Sequence, residues 1–208
     1  MLGYYNPSVI LTYISLVSAS IGLNYVLGGE EKSMFAALFC LMVSGVCDMF
    51  DGAIAQRCKR TEEEKLFGIE IDSLCDLVAF GALPALIGLR LGEGSLLAKI
   101  AAALILLASV VRLGFFNVQE LTRDRSQKRE GYLGFPVTLI SVLYPLLLIV
   151  GLLFPEAMKI YAPLCLVGIA GLEVSRIPLK KVYGMGKVLF LAIGILEFVL
   201  LCLFGGRL

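Results

Sequence analysis

Seven runs of apolar residues divide the chain: Pro7–Leu27, Met34–Gln56, Leu66–Arg90, Ser95–Val118, Leu133–Phe154, Ala157–Ser175 and Met185–Phe204. Each is close to the roughly 20 residues that a helix needs to cross a bilayer. The connections between them are short and marked by turn formers. Gly28-Gly29 closes the first run, Gly92-x-Gly94 separates the third from the fourth, and Pro155 separates the fifth from the sixth. The last connection, Arg176 to Gly186, contains Pro178, Gly184 and Gly186. Asn6-Pro7-Ser8 is a start signal for the first helix, with proline in its opening turn. The pattern predicts an all-α polytopic membrane bundle, with residues 1–208 as a single domain. The sixth and seventh runs leave room for a short or tilted helix.

Composition agrees with this class. The chain has 208 residues, 59% of them hydrophobic, and its mean hydropathy is +0.90, well beyond a soluble domain with a large core. A net charge of +1 gives nucleic-acid binding no electrostatic support. The six cysteines form no C-x-x-C pair and read as small buried hydrophobes without disulfides. The N-terminus has neither a basic n-region nor a cleavage site, so the first run is expected to direct insertion.

The basic residues are distributed unevenly. The loop after the second run holds Arg57, Lys59, Arg60 and Lys65; that after the fourth holds Arg123, Arg125, Lys128 and Arg129; that after the sixth holds Arg176, Lys180, Lys181 and Lys187. The alternate loops and the C-terminus hold Lys32, Arg90, Lys99, Lys159 and Arg207. By the positive-inside rule the N-terminus and the first set of loops face the cytoplasm, in a protein integral to the cell membrane.

Against this background the stretch from Asp48 to Asp76 is out of place. It reads Asp48-x-x-Asp51-Gly52-x-x-Ala55, a charged loop, then Gly68-x-x-x-Asp72-x-x-x-Asp76. Positions three or four apart share a helix face, so each half forms one stripe. The connection turns the chain back, and two antiparallel helices then aim four carboxylates at one point. An aspartate in a span costs about 2.5–3.5 kcal/mol, so four cost on the order of 10 kcal/mol, comparable to the stability of a whole domain. Neither stripe contains Lys or Arg, so a divalent cation is the simplest way to offset the charge. All-oxygen ligation suits Mg²⁺ or Mn²⁺, and the same oxygens are compatible with Ca²⁺. The chain has no histidine, which disfavours most transition-metal sites. At the cytoplasmic ends of two helices, such a site meets water-soluble nucleotides from one side and lipid headgroups from the other.

The constellation D-x-x-D-G-x-x-A followed by G-x-x-x-D-x-x-x-D resembles the signature of the CDP-alcohol phosphotransferase family, carried here by Asp48, Asp51, Gly52, Ala55, Gly68, Asp72 and Asp76. The family's usual arginine after the alanine is Gln56 here, with Arg57 next, and the following spacer is longer than the commonest form. Asp76-Leu-Val-Ala-Phe80-Gly81-x-x-Pro84-Ala85, Arg112-Leu113-x-x-Phe116-Asn117-Val118 and Tyr132-x-Gly134-x-Pro136 are similar to segments of the family's phosphatidylserine-synthase branch. Together the matches cover roughly Asn6 to Pro145.

The resemblance implies six core transmembrane helices plus one or more additional, and an enzyme that moves the phosphatidyl group of CDP-diacylglycerol, or of a CDP-archaeol-like ether lipid, to the hydroxyl of L-serine with release of CMP. It implies two divalent cations, Asp48, Asp51 and Asp72 holding one and Asp51, Asp72 and Asp76 the other, and a homodimer in the membrane. Gly52, Ala55 and Gly68 are then small residues beside the nucleotide, and Arg57 stands near the place of the missing arginine. Asp76 is the candidate general base, because a serine hydroxyl needs a placed carboxylate to become a useful nucleophile.

Arg112, a lone arginine inside the fourth span, is expected with Asn117 to bind the acceptor's carboxylate. The alternative is a structural role, in which Arg112 pairs with a cluster aspartate or snorkels to the interface. Arg129 and Tyr132 are candidates at the same mouth. Glu62-Glu63-Glu64 reads as a solvated loop face, Glu173 as interfacial, and Glu197 as a mid-span carboxylate without an evident partner. Two other functions are compatible with the pattern: the same chemistry with inositol phosphate or glycerol phosphate as acceptor, and a divalent-cation carrier. Clustering of the acids at one end of the helices, beside Gly and Ala, counts against the carrier.

Overall fold

The computed structural model describes residues 3–28, 33–122, 131–180 and 185–204. The Asn6 side chain accepts from the Ser8 N–H at 3.0 Å and Pro7 opens a 3₁₀ turn, Pro7–Val9, that leads into α1 (Ile10–Gly28). This is the start signal read from the sequence. α2 (Ser33–Ala55) returns against α1, and small residues let the two backbones approach closely. Ala19 and Ala37 are fully buried between them. The Ser44 hydroxyl donates to the Ser15 carbonyl and that of Ser18 to the Cys40 carbonyl, both at 3.0 Å. The outer face of α1, with Ile10, Ile14, Val17 and Ile21 exposed, is the apolar surface a bilayer covers.

α3 (Glu62–Asp76) begins earlier than the hydrophobic pattern indicated. Thr61 and Glu64 form a capping box, Thr61 N–H to Glu64 Oε2 at 2.8 Å and Glu64 N–H to Thr61 Oγ1 at 3.2 Å. The three glutamates lie in the first turn, where the helix dipole favours them. They are therefore a helix start rather than a loop face. α3 continues through a π turn, Leu77–Ala82, into α4 (Leu83–Leu91), giving one apolar rod over Glu62–Leu91. Proline 84 explains the π turn: it has no N–H to offer the preceding turn, and the Leu83 N–H bonds back to the Val78 carbonyl instead. Such turns are frequent at functional sites, and this one begins directly after Asp76.

A tight connection with Gly94 at φ +63° leads into α5 (Leu96–Thr122). β1 (Gly131–Leu133) pairs antiparallel with β2 (Pro178–Lys180), with Tyr132 opposite Leu179. The ribbon ties the connection before α6 (Ile140–Gly151) to the one after α7 (Met158–Glu173). At the other end of the bundle Lys159 pairs with Glu93 at 3.0 Å. α8 (Met185–Phe204) packs on α6 and α2, with Phe198 against Phe39 at a ring separation of 5.2 Å.

The all-α membrane bundle expected from the sequence is observed. Five helical segments among the described residues are long and apolar enough to cross a membrane: Pro7–Gly28, Met34–Ala55, Glu62–Leu91, Leu96–Thr122 and Pro155–Glu173. The expected fifth span, Leu133–Phe154, is helical only over Val137–Gly151. That is about 22 Å at about 1.5 Å per residue, against about 30 Å of hydrocarbon. Leu133 belongs to the ribbon, Gly134 has φ +82° and Pro136 is extended, so the helix cannot start sooner. The sixth run, by contrast, is long enough.

Candidate active site

Asp48 and Asp51 lie in the last two turns of α2, and Asp72 and Asp76 at the end of α3. The two helices meet so that carboxylate oxygens of Asp48, Asp72 and Asp76 all lie within 4.8 Å of one another. Asp51 stands beside this trio, within hydrogen-bonding reach of Asp72, and accepts from the Thr12 hydroxyl of α1 at 3.5 Å. Asp76 is buried, while Asp48 and Asp72 are half-buried. Asp48, Asp72 and Asp51 are the carboxylates that act on Asp76, so the cluster concentrates negative charge.

The donor set fits a hard divalent cation. Two oxygens bound to one such ion at about 2.1–2.4 Å each stand no more than about 4.2–4.8 Å apart, and the trio lies within the upper end of that range. Carboxylates alone, without thiolate or imidazole in the group, select Mg²⁺, Mn²⁺ or Ca²⁺ over softer ions.

The carboxylates line a cavity of about 1030 Å³. Gly52 of α2, Gln56 just past its end, Arg112 and Phe116 of α5, and Phe135 with Pro136 before α6 complete its polar end. The cavity extends into an apolar slot where Phe39 of α2 faces Ile195 and Phe198 of α8. A Cβ on Gly52 would meet nothing within 4 Å, so this glycine keeps open space beside the aspartates.

The other residues singled out from the sequence are placed unevenly. Ala55 is half-buried, and a Cβ on Gly68 would stand 3.7 Å from the Arg60 guanidinium; neither is among the lining residues. Arg57 is exposed, and it is Gln56 that reaches the cavity wall. Arg112 lines the cavity and is only 6% exposed, with its Nε donating to the Phe135 carbonyl at 3.3 Å. Asn117 is half-buried, and its Oδ1 accepts from Ser73 Oγ at 2.7 Å. Arg129 lies outside the described residues, and Tyr132 is described only by its place in β1.

Two carboxylates are more buried than the hydrophobic pattern suggested. Glu173, expected at the interface, is 1% exposed and accepts from Ser109 Oγ at 3.0 Å. Glu197 is equally buried, and neither of its oxygens has a hydrogen-bond partner among the described residues. The spacing of Ser109 and Arg112, three residues apart on one face of α5, was the available signal for Glu173. Its distance in the chain hid it.

A family model described as CDP-alcohol phosphatidyltransferase matches residues 5–172. Among curated proteins, the chain is 32% identical over 136 residues to a CDP-diacylglycerol–serine O-phosphatidyltransferase of Saccharomyces cerevisiae, covering 63% of this chain and 47% of that one. The protein of the same name from Helicobacter pylori strain J99 is 29% identical over 131 residues, covering 61% and 51%. An archaetidylserine synthase of Methanothermobacter thermautotrophicus is 27% identical over 174 residues, covering 83% and 70%. The matched part thus spans about half the length of the first two relatives.

Proposed function

The chain belongs to the CDP-alcohol phosphatidyltransferase family, and from that premise we propose that it transfers the phosphatidyl group of a CDP-linked lipid to the hydroxyl of L-serine, releasing CMP. What carries the reading is one arrangement: the Asp48, Asp72 and Asp76 oxygens within 4.8 Å of one another, on the wall of a cavity that also contains Arg112 and an apolar slot. A pyrophosphate, an amino acid and a lipid tail are the chemical parts such a cavity suits. The names of the relatives supply the acceptor. They also support either ester-linked tails or the ether-linked tails of an archaeal donor.

In this reading Asp48, Asp51, Asp72 and Asp76 hold two divalent cations, Mg²⁺ or Mn²⁺. Bound there, the ions supply positive charge for the donor's pyrophosphate and for the charge that develops on the departing CMP. Gly52 leaves room for the nucleotide. The tails lie in the slot between α2 and α8 and reach lipid from there. Arg112 takes the carboxylate of serine through charge-assisted hydrogen bonds. Asp76 accepts the proton of the serine hydroxyl as its oxygen attacks the lipid-side phosphorus; the bond from that phosphorus to the CMP oxygen breaks, and CMP leaves. The basic loops support a cytoplasmic position for these carboxylates, where the nucleotide product is released.

The test incubates purified full-length protein in detergent with CDP-diacylglycerol, Mn²⁺ or Mg²⁺, and a panel of alcohols, and measures CMP. Serine-dependent release supports the assignment. Release with inositol phosphate or glycerol phosphate but not with serine overturns the acceptor. No release with any alcohol overturns the activity.

A further inference from the structure

The apolar slot of the cavity has a floor. Two helices face each other across it with the same spacing: Phe39, Val43 and Val46 of α2, and Leu191, Ile195 and Phe198 of α8. Steps of four and three residues keep each set on one face of its helix. The Phe198 ring lies 5.2 Å from that of Phe39 and 6.5 Å from that of Phe35, one helical turn earlier in α2. Both separations fall in the range of favourable ring contact. Among the described residues, none of α2 before Phe39 and none of α8 after Phe198 lines the cavity, so the slot ends at this ring pair. Both rings are only partly covered by protein. Phe39 lies nine residues before Asp48, about 13 Å along the helix. One leaflet of the hydrocarbon core is about 15 Å deep. The slot is thus nearly as deep as the tail of a membrane lipid is long.

A cavity that joins carboxylates to an apolar slot suits a ligand with a charged head and an apolar tail, because the slot offers water no partners. We propose that Phe198, seated on Phe39 and Phe35, is a specificity-determining residue: it stops a tail of the CDP-linked donor and so selects donors by tail length. A tail that falls short leaves a void against the rings, and a longer one must bend out of the slot. Both lose contacts that a tail ending on the phenyl faces makes. α8 lies beyond residues 5–172, the part that the family model matches, so this selection is made by a helix outside the shared core. The inference rests on the proposed function in taking a CDP-lipid as the ligand; the floor of the slot does not depend on which alcohol is the acceptor.

The chain contains no tryptophan, so Phe198→Trp places a single fluorescent reporter at the floor. Full-length Phe198→Trp protein in detergent is titrated with CDP-diacylglycerol brominated near the ends of its tails, and separately with phosphatidylcholine carrying the same tails. Emission should fall saturably with the CDP-lipid and recover when unbrominated CDP-diacylglycerol is added. With phosphatidylcholine it should fall only in proportion to the lipid content of the micelles. The second measurement is CMP release with serine across CDP-diacylglycerols of increasing tail length. Phe198→Ala should move the preferred tail to a longer one and Phe198→Trp to a shorter one. Each should change the kcat/KM ratio of long to short donors by about tenfold from wild type, while the serine KM stays within about twofold. Taking the ratios against wild type cancels the partition of each lipid into micelles. Phe39→Ala should shift the preference in the same direction as Phe198→Ala, and it serves where that variant does not fold. Equal quenching by the two lipids overturns the proposal, as does one tail preference shared by wild type and every folded variant. If no alcohol yields CMP while quenching remains specific to the CDP-lipid, the transfer to serine fails and the tail site stands, with the length series then read by competition against the brominated donor.

Discussion

Ser73 Oγ donates to Asn117 Oδ1 at 2.7 Å, fastening α3 to α5 one residue from Asp72. The bond gives Asn117 a task that its place in the R-L-x-x-F-N-V segment did not suggest: it holds the helix that carries two of the four aspartates. A single bond of this kind contributes about 0.5–1.5 kcal/mol net, and its loss lets α3 shift against α5. Ser73→Ala and Asn117→Ala should each lower kcat, by about threefold to tenfold. Because one bond is lost in both, the double variant should be no slower than the worse single one. A double-mutant cycle on kcat reads this coupling directly; additive losses would mean that Asn117 acts on the acceptor instead.

Asp76 is the most buried of the trio and the last residue before the π turn. Asp76→Asn keeps the size and removes the basic oxygen. Turnover should fall by about 10²–10⁴, the usual contribution of a general base, while binding of the CDP-lipid, measured by protection against a competing nucleotide, stays within about threefold. Asp48→Asn should differ in kind, with its loss of activity partly recovered by raising Mn²⁺. Full activity in Asp76→Asn would remove the proposed base.

The four aspartates, their two stripes and the membrane class were legible because each rests on a local rule: helical periodicity for the stripes, run length for the spans. What the sequence did not display is where distant polar residues go. Glu173 follows an apolar run near a basic loop, which resembles an interfacial glutamate, and only the packing of α7 on α5 brings it to Ser109. The fifth run is helical over a shorter stretch than its hydropathy indicates, for a different reason. Its apolar composition is continuous from Leu133, but the ribbon and Gly134 take up its first residues, and pairing with β2 is a long-range event that hydropathy does not report. The start of α3 was readable in principle, since Thr61-x-x-Glu64 is a capping-box pattern; the charge of the three glutamates concealed it.

Two glycines of α2 separate space kept for a ligand from space kept for packing. At Gly52 a Cβ meets nothing within 4 Å, so Gly52→Ala should fold and melt as the wild type does. It should still raise the KM for the CDP-lipid, because the methyl group enters the cavity beside the aspartates. At Gly45 a Cβ would collide with the Ser141 side chain of α6, so Gly45→Ala should lower thermal stability by about 1–3 kcal/mol, as overpacking does. Melting in detergent and donor titration, run on both variants, check the contrast. A stable Gly45→Ala together with an unstable Gly52→Ala would reverse the assignment.

Glu197 presents the opposite case, a polar group that the proposed chemistry does not use. It is 1% exposed in α8, and both its oxygens lack hydrogen-bond partners among the described residues. Its neighbours along the helix, Ile195 and Phe198, line the apolar slot, but Glu197 itself is not among the lining residues. An unsatisfied buried polar side chain costs about 1–3 kcal/mol even when neutral, and a carboxylate within a span costs about as much again on insertion scales. Glu197→Gln keeps the shape and lowers only the charge cost; Glu197→Leu removes the polar atoms as well. Thermal stability should therefore rise in the order wild type, Glu197→Gln, Glu197→Leu, while serine-dependent CMP release stays within about twofold of wild type. If either variant melts earlier than the wild type, Glu197 has a partner in the assembled protein, and α8 is held by that contact rather than by its apolar face on α6 and α2.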